Sequence, residues 1–187
     1  MGATSTAPMP VAAPAAIRNI LFATDFSPCS NVALTFASAI ARRHQAALFL
    51  VHVLPPEPRY ELPLEHQPDE LNACKLEAAR QFDALLQSSA LADLVHEPIL
   101  RCGALWETIQ SVIADRAIDL IVVGTHGREG IRKLLLGSTA EVIFRNAACP
   151  VLTVGPHVSS ELLATGMGRI LFATDFSAAS MSALPYA

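Results

Sequence analysis

Glycines, hydroxyl side chains and basic residues gather in one stretch of this 187-residue chain. Gly124-Thr125-His126-Gly127 is followed by nine residues, 128–136, and then by Gly137-Ser138-Thr139. Glycine lets backbone approach a ligand closely and reaches positive φ without a Cβ penalty. Gly137-Ser138-Thr139 opens a helix, so its amides and hydroxyls face outward. A helix start with free amides attracts anions. Arg128, Arg132 and Lys133 add positive charge to the same stretch. The chemistry predicted is the holding of phosphate. The spacing is neither the G-x-x-x-x-G-K-S/T phosphate loop nor the G-x-G-x-x-G dinucleotide fingerprint.

Asp25 closes an apolar run and is the carboxylate expected at the same cleft; its alternative role is a loop or capping carboxylate. His126 lies inside the glycine stretch, but a catalytic base wants a partner carboxylate, and none stands near it in sequence. His52 alternates within an apolar run and reads as structural, Trp106 as packing, Glu107 and Glu141 as solvated helix positions. No Ser-His-Asp order, metal cluster or carboxylate pair stands out, so no catalytic residue and no metal ligand is assigned. Cys29, Cys74, Cys102 and Cys149 form no C-x-x-C pair and read as buried or half-buried free thiols in a reducing compartment.

These residues must be positioned by strands and helices that alternate. Residues 19–24 form a short apolar run, read as a buried strand. Ser27 caps a helix with Pro28 at its first position, burying Ala33, Phe36, Ala37, Ile40 and Ala41 at i, i+3, i+4, i+7 and i+8. A second strand is expected at 47–53, and a proline-rich loop at 54–66. The helix at 68–87 buries Leu71, Cys74, Ala78, Phe82 and Leu85. A third strand spans 95–101. The helix at 104–117 turns Leu105, Ile109, Val112 and Ile113 inward. A fourth strand at 119–124, a helix at 138–146 and a fifth strand at 150–154 complete the series. Such alternation predicts an open, doubly wound parallel sheet with helices on both faces. Ligands of such sheets bind beyond the carboxyl ends of the strands where the order reverses. A site built from Asp25 and Gly124 needs strands one and four side by side, as in the order 3-2-1-4-5.

Residues 20–27, Ile-Leu-Phe-Ala-Thr-Asp-Phe-Ser, recur intact at 170–177, an offset of 150 residues. The likeness continues at Ser30 and Ser180, Ala33 and Ala183, Leu34 and Leu184, Ala37 and Ala187. An offset of domain size indicates tandem duplication. The expected organisation is a disordered Ala/Pro-rich tail at 1–16, one module at 17–156, a linker at 157–167, and the incomplete start of a second module at 168–187.

Hydrophobic residues make up 52% and charged residues 16%, which excludes a disordered chain. A net charge of −4 argues against a nucleic-acid binder driven by phosphate contacts. No run of 18 apolar residues appears, so no membrane span is read. Pro8, Pro10 and Pro14 break any signal-peptide core, which makes the cytoplasm the expected location.

Gly124, Gly127, Gly137 and Ser138 match, without a gap, the G-x-x-G, nine residues, G-S/T motif of the universal stress protein family, which residues 17–156 resemble. The opening at 20–27 and the Cys149-Pro150-Val151-Leu152-Thr153-Val154 ending are also similar to that family. The resemblance implies a Rossmann-like fold of the adenine nucleotide alpha hydrolase-like kind with order 3-2-1-4-5. It implies ATP as ligand, possible magnesium with it, and a homodimer through the fifth strand. Gly124, Gly127, Gly137, Ser138 and Thr139 would then hold phosphates and ribose, with Arg128 beside them. Ala23, Thr24 and Asp25 would line the cleft, and Val53 would meet adenine through its backbone. The function implied is a stress-response module that binds ATP and regulates an unknown protein partner. The alternatives are an ATP-hydrolysing or nucleotidyl-transfer enzyme, and a structural dimerisation module with an empty cleft.

Overall fold

The computed structural model describes residues 16–56, 67–125, 137–158 and 169–186. In chain order the first nine elements are β1 (Asn19–Ala23), α1 (Pro28–His44), β2 (Ala47–Leu54), α2 (Gln67–Leu86), β3 (His96–Cys102), α3 (Leu105–Asp115), β4 (Leu120–Gly124), α4 (Ser138–Asn146) and β5 (Val151–Val154). Every neighbouring strand pair is parallel, and the order is β3-β2-β1-β4-β5. That is the order expected from sequence.

A central parallel strand is buried on both faces, so it reads as an unbroken apolar run. β1 is such a strand: Ile20, Leu21 and Phe22 are fully buried. Ile20 and Phe22, with Leu48, Leu50 and Val122, pack against Ala33, Phe36, Ala37 and Ala41 of α1 and Phe82 of α2. Leu21, Val51, Ile121 and Val123 face the other way, onto Ile109 and Val112 of α3 and Ala140 and Ile143 of α4. Burying one such large side chain contributes about 1.5–3 kcal/mol.

α2 departs from its expected face. Ala78 and Phe82 are buried and Leu85 packs against the core, but Cys74 is exposed. The described side chains before Ala78, from 72 to 77, are all exposed, and that of Leu71 lies outside the described residues.

The two sheet edges differ chemically. In β3 the carbonyl of Val95 accepts from Leu48 and the amide of Gly103 donates to Leu54, so odd residues face β2 and Pro98 turns to the open edge. Proline there removes an outward N–H at no cost to the ladder. In β5 the carbonyls of Pro150 and Val154 accept from Ile121 and Thr125, so the amides of Val151 and Thr153 point to the open edge.

Residues 169–186 hold no strand. They contain a short helix, α5 (Ala178–Met181), and a 3-10 turn, Leu184–Tyr186. Ile170, Leu171 and Phe176 are 56%, 95% and 83% exposed. The apolar run that is a strand at β1 is not one here, because a strand needs a ladder partner and β1 has one on each side. No described helix is long and apolar enough to cross a membrane.

Candidate functional site

β1 and β4 pair at the centre of the sheet with Ala23 opposite Val123, so Thr24-Asp25 and Gly124-Thr125 leave it side by side. This is the reversal point of the strand order, where open α/β sheets place ligands.

The turn after β1 is built by its own side chains. The Thr24 amide donates to the Val51 carbonyl at 2.9 Å, extending the ladder by one residue. The Phe26 amide donates to Thr24 Oγ1 at 2.9 Å, and the Ser27 amide to Asp25 Oδ1 at 3.0 Å. These two local bonds hold Phe26 in the left-handed region, at φ 61°. A non-glycine residue adopts that region only when its surroundings enforce it. Ser27 then caps α1, its side chain accepting from the Ser30 amide at 3.2 Å. Asp25 is therefore a turn-forming carboxylate, half-buried at the cleft. Of its two alternative roles the bond shows the loop carboxylate, since the helix cap is Ser27.

Gly124 has a packing reason to be glycine. A Cβ there would lie 3.2 Å from the backbone of Cys29 and Ser30 in α1. Thr125 follows, donating its amide to Val154 at 2.9 Å. The chain returns at Gly137, whose amide donates to the Thr125 carbonyl at 2.6 Å. That bond sets the start of α4 beside the end of β4. Unlike α1, α4 has no side-chain cap, and Ser138 and Thr139 in its first turn are exposed. The first amides of a helix lack intrahelical partners, so this start is a donor surface at the cleft.

The structure brings together Thr24, Asp25, Gly124, Gly137, Ser138 and Thr139 from the expected set. Ala23 is buried within the core, so only its backbone is at the strand end. Val53 stands near the end of β2, half-buried and packed against the α3–α4 face. Gly127, Arg128 and His126 lie outside the described residues. Trp106 packs against the core, and Glu141 pairs with Arg145 at 2.9 Å.

Sequence reasoning missed two neighbours of the site. His52 Nδ1 lies 2.7 Å from the Thr24 carbonyl. Phe26 lies against the His52 ring at 4.6 Å, tilted by 45°, and meets Phe82 edge-on at 5.1 Å. The signal for Phe26 was present, since it lies inside the repeated octapeptide.

A parallel sheet in this order, with turns from β1 and β4 meeting at its centre, defines an open doubly wound, Rossmann-like protein. Residues 16–155 match the Universal stress protein family, and the chain belongs to it. Universal stress protein A homolog 1 of Coxiella burnetii is 33% identical over 146 residues, 73% of this chain and 95% of that one. Among solved structures, the Methanocaldococcus jannaschii protein MJ0577 superposes with a TM-score of 0.68 at 26% identity, covering 78% of this chain and 100% of that one. Universal stress protein UspA from Lactobacillus plantarum gives 0.64 at 30% identity, covering 75% and 99%.

Proposed function

We propose that this chain binds ATP where β1 and β4 end, and acts as a nucleotide-dependent regulatory module of the cytoplasm. The observation that carries the reading is the uncapped start of α4, pinned beside Thr24-Asp25 by the bond from Gly137 to Thr125. Amides of that first turn and the hydroxyls of Ser138 and Thr139 match the acceptor oxygens of a triphosphate. Gly127 and Arg128 follow Thr125 closely in sequence and complete the proposed phosphate-holding set. Val53, one strand over, offers backbone to adenine. Magnesium accompanying the nucleotide would sit against the phosphates, with Asp25 the carboxylate at hand. Binding rather than turnover is the expected mode, because no general base is identified.

The reading includes a homodimer through β5. Its outward amides at Val151 and Thr153 are free of proline, while Pro98 blocks the β3 edge. Phe144 of α4, 62% exposed, adds an apolar side chain on the element that packs beside β5. An edge with unpaired amides recruits another strand.

The test is mass spectrometry of nucleotide released from purified protein, with calorimetric titration of ATP into wild type and Gly127→Val. Co-purified ATP, or micromolar binding lost in a folded Gly127→Val protein, is the expected result. Equal affinity of the two proteins overturns the site.

A further inference from the structure

We propose that His52 is the positioning residue of this cleft: it docks the turn at 24–27 onto the end of β2 and so sets where Asp25 stands. The inference rests on the ATP-binding reading above for its consequence, but not for its geometry.

The chain contains its own control, because the same octapeptide occurs twice. In the second copy the Phe176 amide donates to Thr174 Oγ1 at 2.9 Å, and the Ser177 amide to Asp175 Oδ1 at 2.9 Å. The Ser180 amide reaches Ser177 Oγ at 3.1 Å, and Thr174 Oγ1 lies 2.9 Å from Ser180 Oγ. The first copy has 2.9, 3.0, 3.2 and 3.1 Å for the same four contacts. Both phenylalanines sit at φ 61°. The turn therefore takes its shape from its own sequence, with or without a sheet.

Its attachment is what differs. Phe176 is 83% exposed, whereas Phe26 lies between His52 and Phe82. A carbonyl oxygen only accepts, so the 2.7 Å contact to Thr24 requires the proton on His52 Nδ1. One imidazole thus holds the turn twice, by a hydrogen bond to its first residue and by ring contact with its third. His52 also precedes Val53 in β2, so the same strand segment places both the turn and the proposed adenine contact.

The experiment compares wild type, His52→Leu and His52→Asn in the full chain. The asparagine amide can present an N–H where Nδ1 stands; leucine fills space without a donor. Three readouts are taken: the imidazole tautomer by 15N NMR, hydrogen exchange of the Phe26 and Ser27 amides, and ATP affinity, with thermal unfolding of each protein alongside. The expected results are an Nδ1–H tautomer, faster exchange at 26 and 27 in His52→Leu with β4 amides unchanged, and ATP binding weakened about tenfold in that variant. His52→Asn should recover binding to within about threefold of wild type, as the loss of one hydrogen bond made good requires. An Nε2–H tautomer, unchanged exchange in His52→Leu, or an asparagine variant no better than leucine overturns the proposal. If wild type binds no ATP, the functional reading fails, and the tautomer and exchange data alone decide the positioning role. If His52→Leu does not fold, the wild-type tautomer and His52→Asn decide it.

Discussion

At the scale of single residues, Gly124 separates two reasons for being glycine. Its place in the nucleotide motif suggests approach to a ligand, but its missing Cβ also faces α1 backbone at 3.2 Å. Backbone cannot swing aside as a side-chain tip can. Gly124→Ala is therefore expected to cost about 1–3 kcal/mol of stability through overpacking, read as a lower urea midpoint with an unchanged slope. A stability equal to wild type would leave the ligand as the only reason for glycine there. The thiols also sort by position. Burial pushes the Cys149 thiol above its ordinary value, and Cys29 is buried, with Sγ 3.6 Å from the Val154 carbonyl. Cys74 and Cys102 are exposed, against the expectation of buried or half-buried thiols: Cys102 ends the edge strand β3, and Cys74 lies on the exposed stretch of α2. Since the thiolate is the reactive form, a thiol reagent at pH 8 should label Cys74 and Cys102 first, half-buried Cys149 more slowly, and buried Cys29 last. Rapid native labelling of Cys149 would contradict that order.

At the scale of elements, the strand-to-helix turn is a unit that folds from its own residues. Thr24 and Asp25 each bind an amide two residues on, and Ser27 closes the start of α1. Ser27→Ala should cost about 1 kcal/mol by loss of the cap, seen as a lowered thermal midpoint. In the second copy, hydrogen bonds from the Ser177 hydroxyl, the Ser177 amide and the Ser180 hydroxyl hold the Asp175 carboxyl at about 2, below its ordinary 3.8. A depressed carboxylate supports its turn above the ordinary value, and that support is lost as pH falls through the depressed one. Carboxyl 13C NMR should therefore show Asp175 titrating near 2, with the Ser177 amide shifting alongside. A midpoint at the ordinary value would mean that the turn does not persist in solution outside the sheet.

At the scale of the whole molecule, the sheet presents one blocked edge and one open edge. Thr153→Pro removes an N–H that points away from β4, so pairing within the sheet is kept while pairing with another chain is not. Light scattering should then show a dimer for wild type and a monomer for this variant, with unchanged circular dichroism; two monomers would remove β5 from the assembly. The core clusters draw on residues from 17 to 158, and Val158 still packs against them. Deleting 160–187 should therefore preserve the unfolding midpoint and ATP binding, and reduce aggregation, since Leu171 and Phe176 leave with it. A shortened chain that fails to fold would show that the second copy supports the first.

The amino-acid sequence by itself determined the alternation of strands and helices, because period and apolar runs are local properties of the chain. It determined the Ser27 cap and the shape of the turn after β1, since each partner lies within a few residues. The expectation of the order β3-β2-β1-β4-β5 came from the resemblance and from the need to bring Asp25 and Gly124 together, and the register of β1 on β4 bears it out. Tertiary structure alone decided the rest. Cys74 was expected inside and stands outside, because helical period marks a face but not how much of the helix meets the core. Gly124 touches α1, 94 residues behind Ser30 in sequence, and no spacing rule carries that contact. His52 was read as structural because it alternates within an apolar run; its partners Thr24 and Phe26 stand in the turn of another strand, and only the tertiary structure brings that turn to it. Identical octapeptides ended as a buried strand and an exposed segment, because neighbours supply the ladder and the burial that make an apolar run a strand.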